Sequence, residues 1–334
     1  MQGPKNIMAN IAVMNTGLYN PFQNFDFLYK ICFLSGKTFN SPVVQVPLIP
    51  KWLLAQAGLS GEEQIQFLDE SIRSYNTLVI PVNNEVNEQF LTPLENKIET
   101  AFATGYNAVS ALPELDLFNW IGKFLYGFVY IEMHSALCKE MTADGLNMSQ
   151  SLMMKFANLN FMMQNLYTSL EFEDFSPWSI TVVKLENGET PFSFRDEINT
   201  LTFSLKMKDF GIIACLQDNG TNKRYHQDII NEIKGKALTA EQFEELSARF
   251  YYSAYLFNRL PEYTFMPVEG TTYIEAMPLR GNMTKPLFDV WQNKVYAQVL
   301  ENFWKPWGYV VFEIIKNPDE PMSFFGKPCL PTAG

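Results

Sequence analysis

The chain has 334 residues, 47% of them hydrophobic and 18% charged, with a formal net charge of −11. That composition excludes a disordered chain and supplies apolar material for more than one core. The acidic excess argues against general nucleic-acid binding, which needs Lys and Arg clustered against phosphate.

Residues 25–41 are expected to form a short hairpin, with Phe25, Phe27, Leu28, Tyr29 and Ile31 ahead of a turn at Ser35-Gly36-Lys37. Pro50 to Gly58 reads as a short helix with proline at its start, where a missing N–H costs nothing. An acidic loop-helix stretch follows over Gly61 to Ser71, then a strand at Leu78-Val79-Ile80. From Asn87 to Ala103, Leu91, Leu94, Ile98 and Phe102 recur at helical spacing. Leu115 to Met141 is apolar almost all round, as a central helix is. Asp116, Lys123 and Glu132 make it too polar to span a membrane.

Leu152, Phe156, Leu159, Met163 and Leu166 mark a second packed helix, a core seam in preference to a Met-lined groove. Strands are expected at Ser179 to Lys184, Thr200 to Leu205 and Gly211 to Leu216, with turns at Asn187-Gly188 and Lys208-Asp209. Thr239 and Gln242 form a capping-box signature before a helix reaching Phe257. A hairpin around Glu269-Gly270 and a last helix from Pro286 to about Phe303 complete the chain, and the aromatic run Phe303 to Tyr309 reads as core packing.

Three blocks carry a resemblance. They are Cys32-Phe33-Leu34-Ser35-Gly36-Lys37, then Leu48-Ile49-Pro50-Lys51-Trp52-Leu53-Leu54, then Ile80-Pro81-Val82-Asn83-Asn84-Glu85-Val86-Asn87. Together they resemble the bacterial HNH-endonuclease-like proteins of treble-clef fold, whose pattern runs Cys-x-x-Cys-Gly-Lys, Glu-His-Val-Phe-Pro-Lys-Trp-Leu-Leu, Pro-x-Cys-x-x-Cys-Asn. The likeness implies a zinc knuckle and a metal-assisted nuclease. It also implies that the chemistry has been lost here. Of four thiolate positions only Cys32 remains, with Ser35, Asn83 and Val86 at the others, and one ligand does not make a zinc site. Val46-Pro47 stands where the family has Glu-His, so the base that would activate water is replaced by proline.

Charge agrees with that loss. The first hundred residues carry six basic and nine acidic side chains, so even the nuclease-like part is acidic. Cys32, Cys138, Cys215 and Cys329 lie far apart and share no paired spacing, and they read as reduced buried thiols of a cytosolic protein. Met1 to Asn6 lacks the basic start of a signal peptide. His134 and Cys138, four apart on one helix, could share a metal but read better as a buried, satisfied pair. His226, within Lys223-Arg224-Tyr225-His226-Gln227-Asp228, reads as part of a polar surface segment.

The fold expected is α+β: a degenerate metal-free treble-clef unit over residues 1–110, packed on a larger mixed helical and antiparallel-sheet domain over 111–334. The function expected is a non-catalytic scaffold for binding or assembly, with a protein partner or a second copy of the chain. No catalytic, cofactor or metal residue is assigned, no membrane association is expected, and nucleic acid is disfavoured by charge. The alternatives are a hydrolase or nuclease with a rebuilt site, and a nucleic-acid-binding protein that has lost cleavage.

Overall fold

A computed structural model describes residues 17–25, 27–39, 43–67, 70–139, 148–186, 192–279, 284–317 and 320–325. Cys329, the Asn187-Gly188 turn and the N-terminal residues 1–16 lie outside them. In chain order the first elements are α1 (Pro21–Asn24), β1 (Val44–Pro47), α2 (Lys51–Ala57), β2 (Gln64–Gln66), β3 (Ile72–Ser74) and β4 (Val79–Val82). Next come α3 (Asn84–Val86), α4 (Thr92–Thr104), α5 (Tyr106–Ser110), α6 (Glu114–Cys138), α7 (Gln150–Met163) and β5 (Leu170–Phe172). The run β6 (Ser179–Leu185), β7 (Ser193–Glu197), β8 (Thr202–Met207) and β9 (Phe210–Cys215) precedes α8 (Thr221–Tyr225) and α9 (Gln227–Ile233). The last are β10 (Ala237–Leu238), α10 (Ala240–Leu256), β11 (Tyr263–Val268), β12 (Thr271–Ala276), α11 (Asn293–Trp304) and α12 (Val311–Ile314). The architecture is mixed α+β.

The chain forms two compact units, neither continuous in sequence. One comprises Met1–Thr100, Leu115–Phe175 and Glu262–Met277, the other Ala101–Glu114, Ser176–Pro261 and Pro278–Gly334. The two long helices after residue 110 therefore belong with the knuckle, and these units do not follow a division at that residue.

In the first unit α6 is the central helix. Trp120, Tyr126 and Tyr130 are fully buried on it, as expected of a helix apolar on every side. Gly127 lets Leu48 pack against it, because a Cβ there would lie 2.3 Å from a Leu48 methyl. Phe33 packs 5.7 Å from Tyr126, and Phe27 lies 5.5 Å from Tyr130. β1 pairs antiparallel with β4, Val46 opposite Ile80 and Pro47 opposite Val79. β5, β12 and β11 form a three-stranded sheet, with β5 parallel to β12. Within the acidic stretch expected as loop and helix, Gln64–Gln66 instead form β2, which pairs antiparallel with β3, Ile65 opposite Arg73.

The second unit is built on a five-stranded sheet in the order β10-β6-β9-β8-β7, antiparallel except where β10 joins β6. β8 and β9 are buried along their whole length. α10 crosses the sheet, and Gly211 gives its Phe243 ring room that a Cβ would close. The capping box at Thr239 and Gln242 starts α10 as the sequence predicts. β7 was not anticipated: none of its residues is fully buried, so it carries no clear alternation. α11 begins at Asn293 and not at Pro286, because Phe288 instead bridges to Phe257 in extended backbone. Phe303 and Trp304 are buried in the core between α10 and α11, as expected of that aromatic run.

Among the described residues, no helix is long and apolar enough to cross a membrane.

Candidate functional site

The knuckle turn is set by backbone hydrogen bonds around Cys32. Its N–H donates to the Lys37 carbonyl at 3.0 Å, and its carbonyl accepts from Gly36 at 2.9 Å. Gly36 has φ +65 and sits on the Tyr19 ring, where a Cβ would fall 2.0 Å from a ring carbon. Only glycine fits both demands. Ile31 bridges to Thr38, so the hairpin expected over 25–41 is a single bridged turn among its described residues. Phe33 N–H then donates to the Pro81 carbonyl at 2.9 Å, joining this turn to the end of β4.

The four positions that the resemblance assigns to thiolates are used differently. Cys32 is fully buried. Ser35 Oγ is buried and has no hydrogen-bond partner among the described residues. Asn83 is the N-cap of α3, its Oδ1 accepting from Glu85 N–H at 2.9 Å. Val86 is buried on α3. Pro47, at the position of the family's base, pairs with Val79 at the end of the β1–β4 ribbon. Asn87 opens a wide helical turn, Asn87–Leu91, that leads into α4.

What fixes the knuckle backbone is α7 and the turn after it. Asn160 Nδ2 donates to the Phe33 carbonyl at 3.4 Å, and Tyr167 OH donates to the Leu34 carbonyl at 3.3 Å. Gln164 brackets Tyr19, donating to its carbonyl at 2.7 Å and accepting from its N–H at 3.0 Å. The single Tyr167 hydroxyl hydrogen is shared between the Leu34 carbonyl and Gln164 Oε1, which lies nearer at 2.9 Å, and Gln164 Nε2 donates to Asn160 Oδ1 at 2.8 Å. Burial drives the Tyr167 and Tyr126 phenols upward in pKa, so both stay neutral at physiological pH.

A second buried cluster joins α2, α4 and α6. Glu95 Oε2 accepts the indole N–H groups of Trp52 at 2.9 Å and Trp120 at 3.4 Å, while Oε1 pairs with the buried Lys123. Sequence reasoning gave no role to Glu95, Asn160, Gln164 or Tyr167. One signal was present: Asn160 and Gln164 stand four apart, flanked by Leu159, Phe161, Met162 and Met163, and polar groups buried among apolar ones must find partners.

Both histidines differ from expectation. His226 is buried, not on a surface, and burial with the nearby Arg249 charge lowers its pKa to about 3. Its Nε2 lies 2.9 Å from Ser253 Oγ and 3.2 Å from the Arg249 carbonyl. Ser253 is fully buried and donates to Asn222 Oδ1 at 2.7 Å. Asn222 in turn donates through both N–H groups to Asp218, which also receives Ser179 at 2.6 Å. A serine closed in this way cannot reach a substrate, so the chain of contacts organises the core of the second unit. The His134–Cys138 pair is likewise not buried: His134 is half-buried and Cys138 is exposed at the end of α6, whereas Cys32 and Cys215 are buried as expected.

Among the described residues, no three His, Cys, Asp or Glu side chains converge to hold a metal ion. No protein-family model, curated protein or solved structure matches the chain.

Proposed function

We propose that this protein is a degenerate, non-catalytic member of the HNH-endonuclease-like treble-clef group of bacteria, acting in the cytoplasm as a metal-free scaffold for binding or assembly. The knuckle turn, the β1–β4 ribbon and the α3–α4 helix follow one another in the order that such a fold requires. The observation that carries the reading is the reassignment of the ligand positions. Asn83 is spent on a helix cap, Val86 is buried, and the knuckle carbonyls are held by Asn160 and Tyr167. Zinc contributes on the order of 10–16 kcal/mol to small metal-dependent folds. In this chain side-chain hydrogen bonds from α7 and the turn after it do the positioning instead. With Pro47 at the base position, no group there can take a proton from water. The partner on this reading is a protein or a second copy of the chain.

The test combines elemental analysis with cleavage of supercoiled plasmid in magnesium, manganese, nickel or zinc. The expected result is no stoichiometric metal and no nicking, with a melting temperature indifferent to chelator. One zinc per chain, or nicking that disappears in an Asn87→Ala variant, would overturn the reading.

A further inference from the structure

We propose that Cys138 is a nucleophilic thiol with His134 as its proton acceptor, and that it exchanges with low-molecular-weight disulfides. The proposal does not depend on the nuclease-like reading. Cys138 closes α6 and is exposed, with Sγ 3.5 Å from His134 Nε2. The base is oriented by groups other than the cysteine. His134 Nδ1 lies 2.9 Å from the Phe27 carbonyl, which can only accept, so Nδ1 carries the hydrogen. In the neutral ring Nε2 then offers its lone pair to the thiol. The Tyr29 ring stacks on the imidazole at 3.9 Å and is itself anchored by its hydroxyl to the Val79 carbonyl at 2.7 Å. A nucleophile, a base and a third group fixing the base form the arrangement that activates a weak nucleophile.

The charges around the pair decide how it works. Burial lowers the His134 pKa, the hydrogen bond to the Phe27 carbonyl acts against this, and the charge of Arg73, which is tied to Ser135 one turn back on α6, adds to the lowering. His134 therefore takes the proton at the moment of attack and does not hold a standing ion pair. The imidazolium so formed keeps both N–H groups satisfied, one on the Phe27 carbonyl and one on sulfur.

The step balances without a further oxidant. The Cys138 proton passes to His134 Nε2, and the thiolate attacks one sulfur of the incoming disulfide. The S–S bond breaks as the mixed disulfide forms, and the second half leaves as a thiolate that takes the proton. Cys138 is oxidised and the leaving thiol is reduced. Among the described residues Cys32 and Cys215 are buried and unsuited to this, and burial pushes the Cys215 thiol up.

The full chain is treated with 5,5′-dithiobis(2-nitrobenzoate) or oxidised glutathione, and each cysteine is followed by peptide mass mapping. Cys138 should react at pH 7 at least about tenfold faster in the native protein than in His134→Gln, since thiolate supply sets the rate. The variant's rate should climb with pH as an ordinary thiol's does, and the native rate should climb less steeply. Equal rates and equal pH profiles in the two folded proteins would overturn the proposal. If His134→Gln does not fold, native Cys138 is compared with the same thiol in urea-unfolded protein. A native rate no faster than the unfolded one would also overturn it.

Discussion

The indole N–H of Trp52 donates to Glu95 Oε2 at 2.9 Å, tying the helix after β1 to the helix after the second knuckle block. Trp52 and Glu95 are 43 residues apart in sequence, and they meet at a carboxylate that Trp120 and Lys123 share from α6.

That convergence sets the first prediction. Lys123 is 2% exposed, so Glu95→Ala should leave a buried ammonium without its counter-charge and cost about 3–5 kcal/mol. Adding Lys123→Met should recover a substantial part of the loss, because the uncompensated charge is removed with its stem's packing retained. Urea titrations of the single and double variants measure it. A double variant no more stable than Glu95→Ala would show that the indole contacts, and not the charge, dominate.

The Val86 side chain should carry structural weight at the old ligand position. Truncation to alanine removes two methyl groups from a buried site and is expected to cost about 1–3 kcal/mol. Restoring cysteines at 35, 83 and 86 should not by itself recover zinc, because the cap and the packing have reshaped the turn. An unchanged denaturant midpoint in Val86→Ala would mean that the knuckle is loosely held.

His226 gives a pH dependence with a definite sign. Its pKa is about 3 in the folded state against an ordinary value of 6.5, so the unfolded chain binds the proton first. The contribution is fully present above pH 6.5 and is lost as pH falls toward 3, with a slope of at most about 1.4 kcal/mol per pH unit. Asp196, raised by burial to about 6, acts oppositely, favouring the folded state below its unfolded pKa and losing that contribution as pH rises through 6. Stability of native and His226→Gln protein across pH 4–7 separates the two. The variant should show the flatter acid limb, and parallel curves would contradict the buried neutral imidazole.

Nucleic acid should bind weakly. With a net charge of −11 there is little counterion release to drive association, so duplex affinity at physiological salt should be no tighter than about 10 μM, with a shallow salt slope. Fluorescence anisotropy over a salt series tests this, and submicromolar binding would reveal a basic surface that the net charge conceals.

Local order was legible in the residues themselves. Pro50 and Gly58 bound α2, Thr239 and Gln242 start α10, Glu269-Gly270 turns β11 into β12, and the apolar run after Leu115 makes a central helix. Each of these rests on chemistry within a few residues, where spacing and backbone preference act directly. Other features depended on segments that meet only when the chain is folded. Tertiary structure alone puts Asn160 and Tyr167 on the knuckle carbonyls and buries His226 against Ser253. It alone leaves Cys138 open to solvent beside a histidine fixed by the Phe27 carbonyl. No periodicity encodes a hydrogen bond across more than a hundred residues. Burial, which decides whether a polar side chain is a cap, a core link or a nucleophile, is a property of the packed molecule.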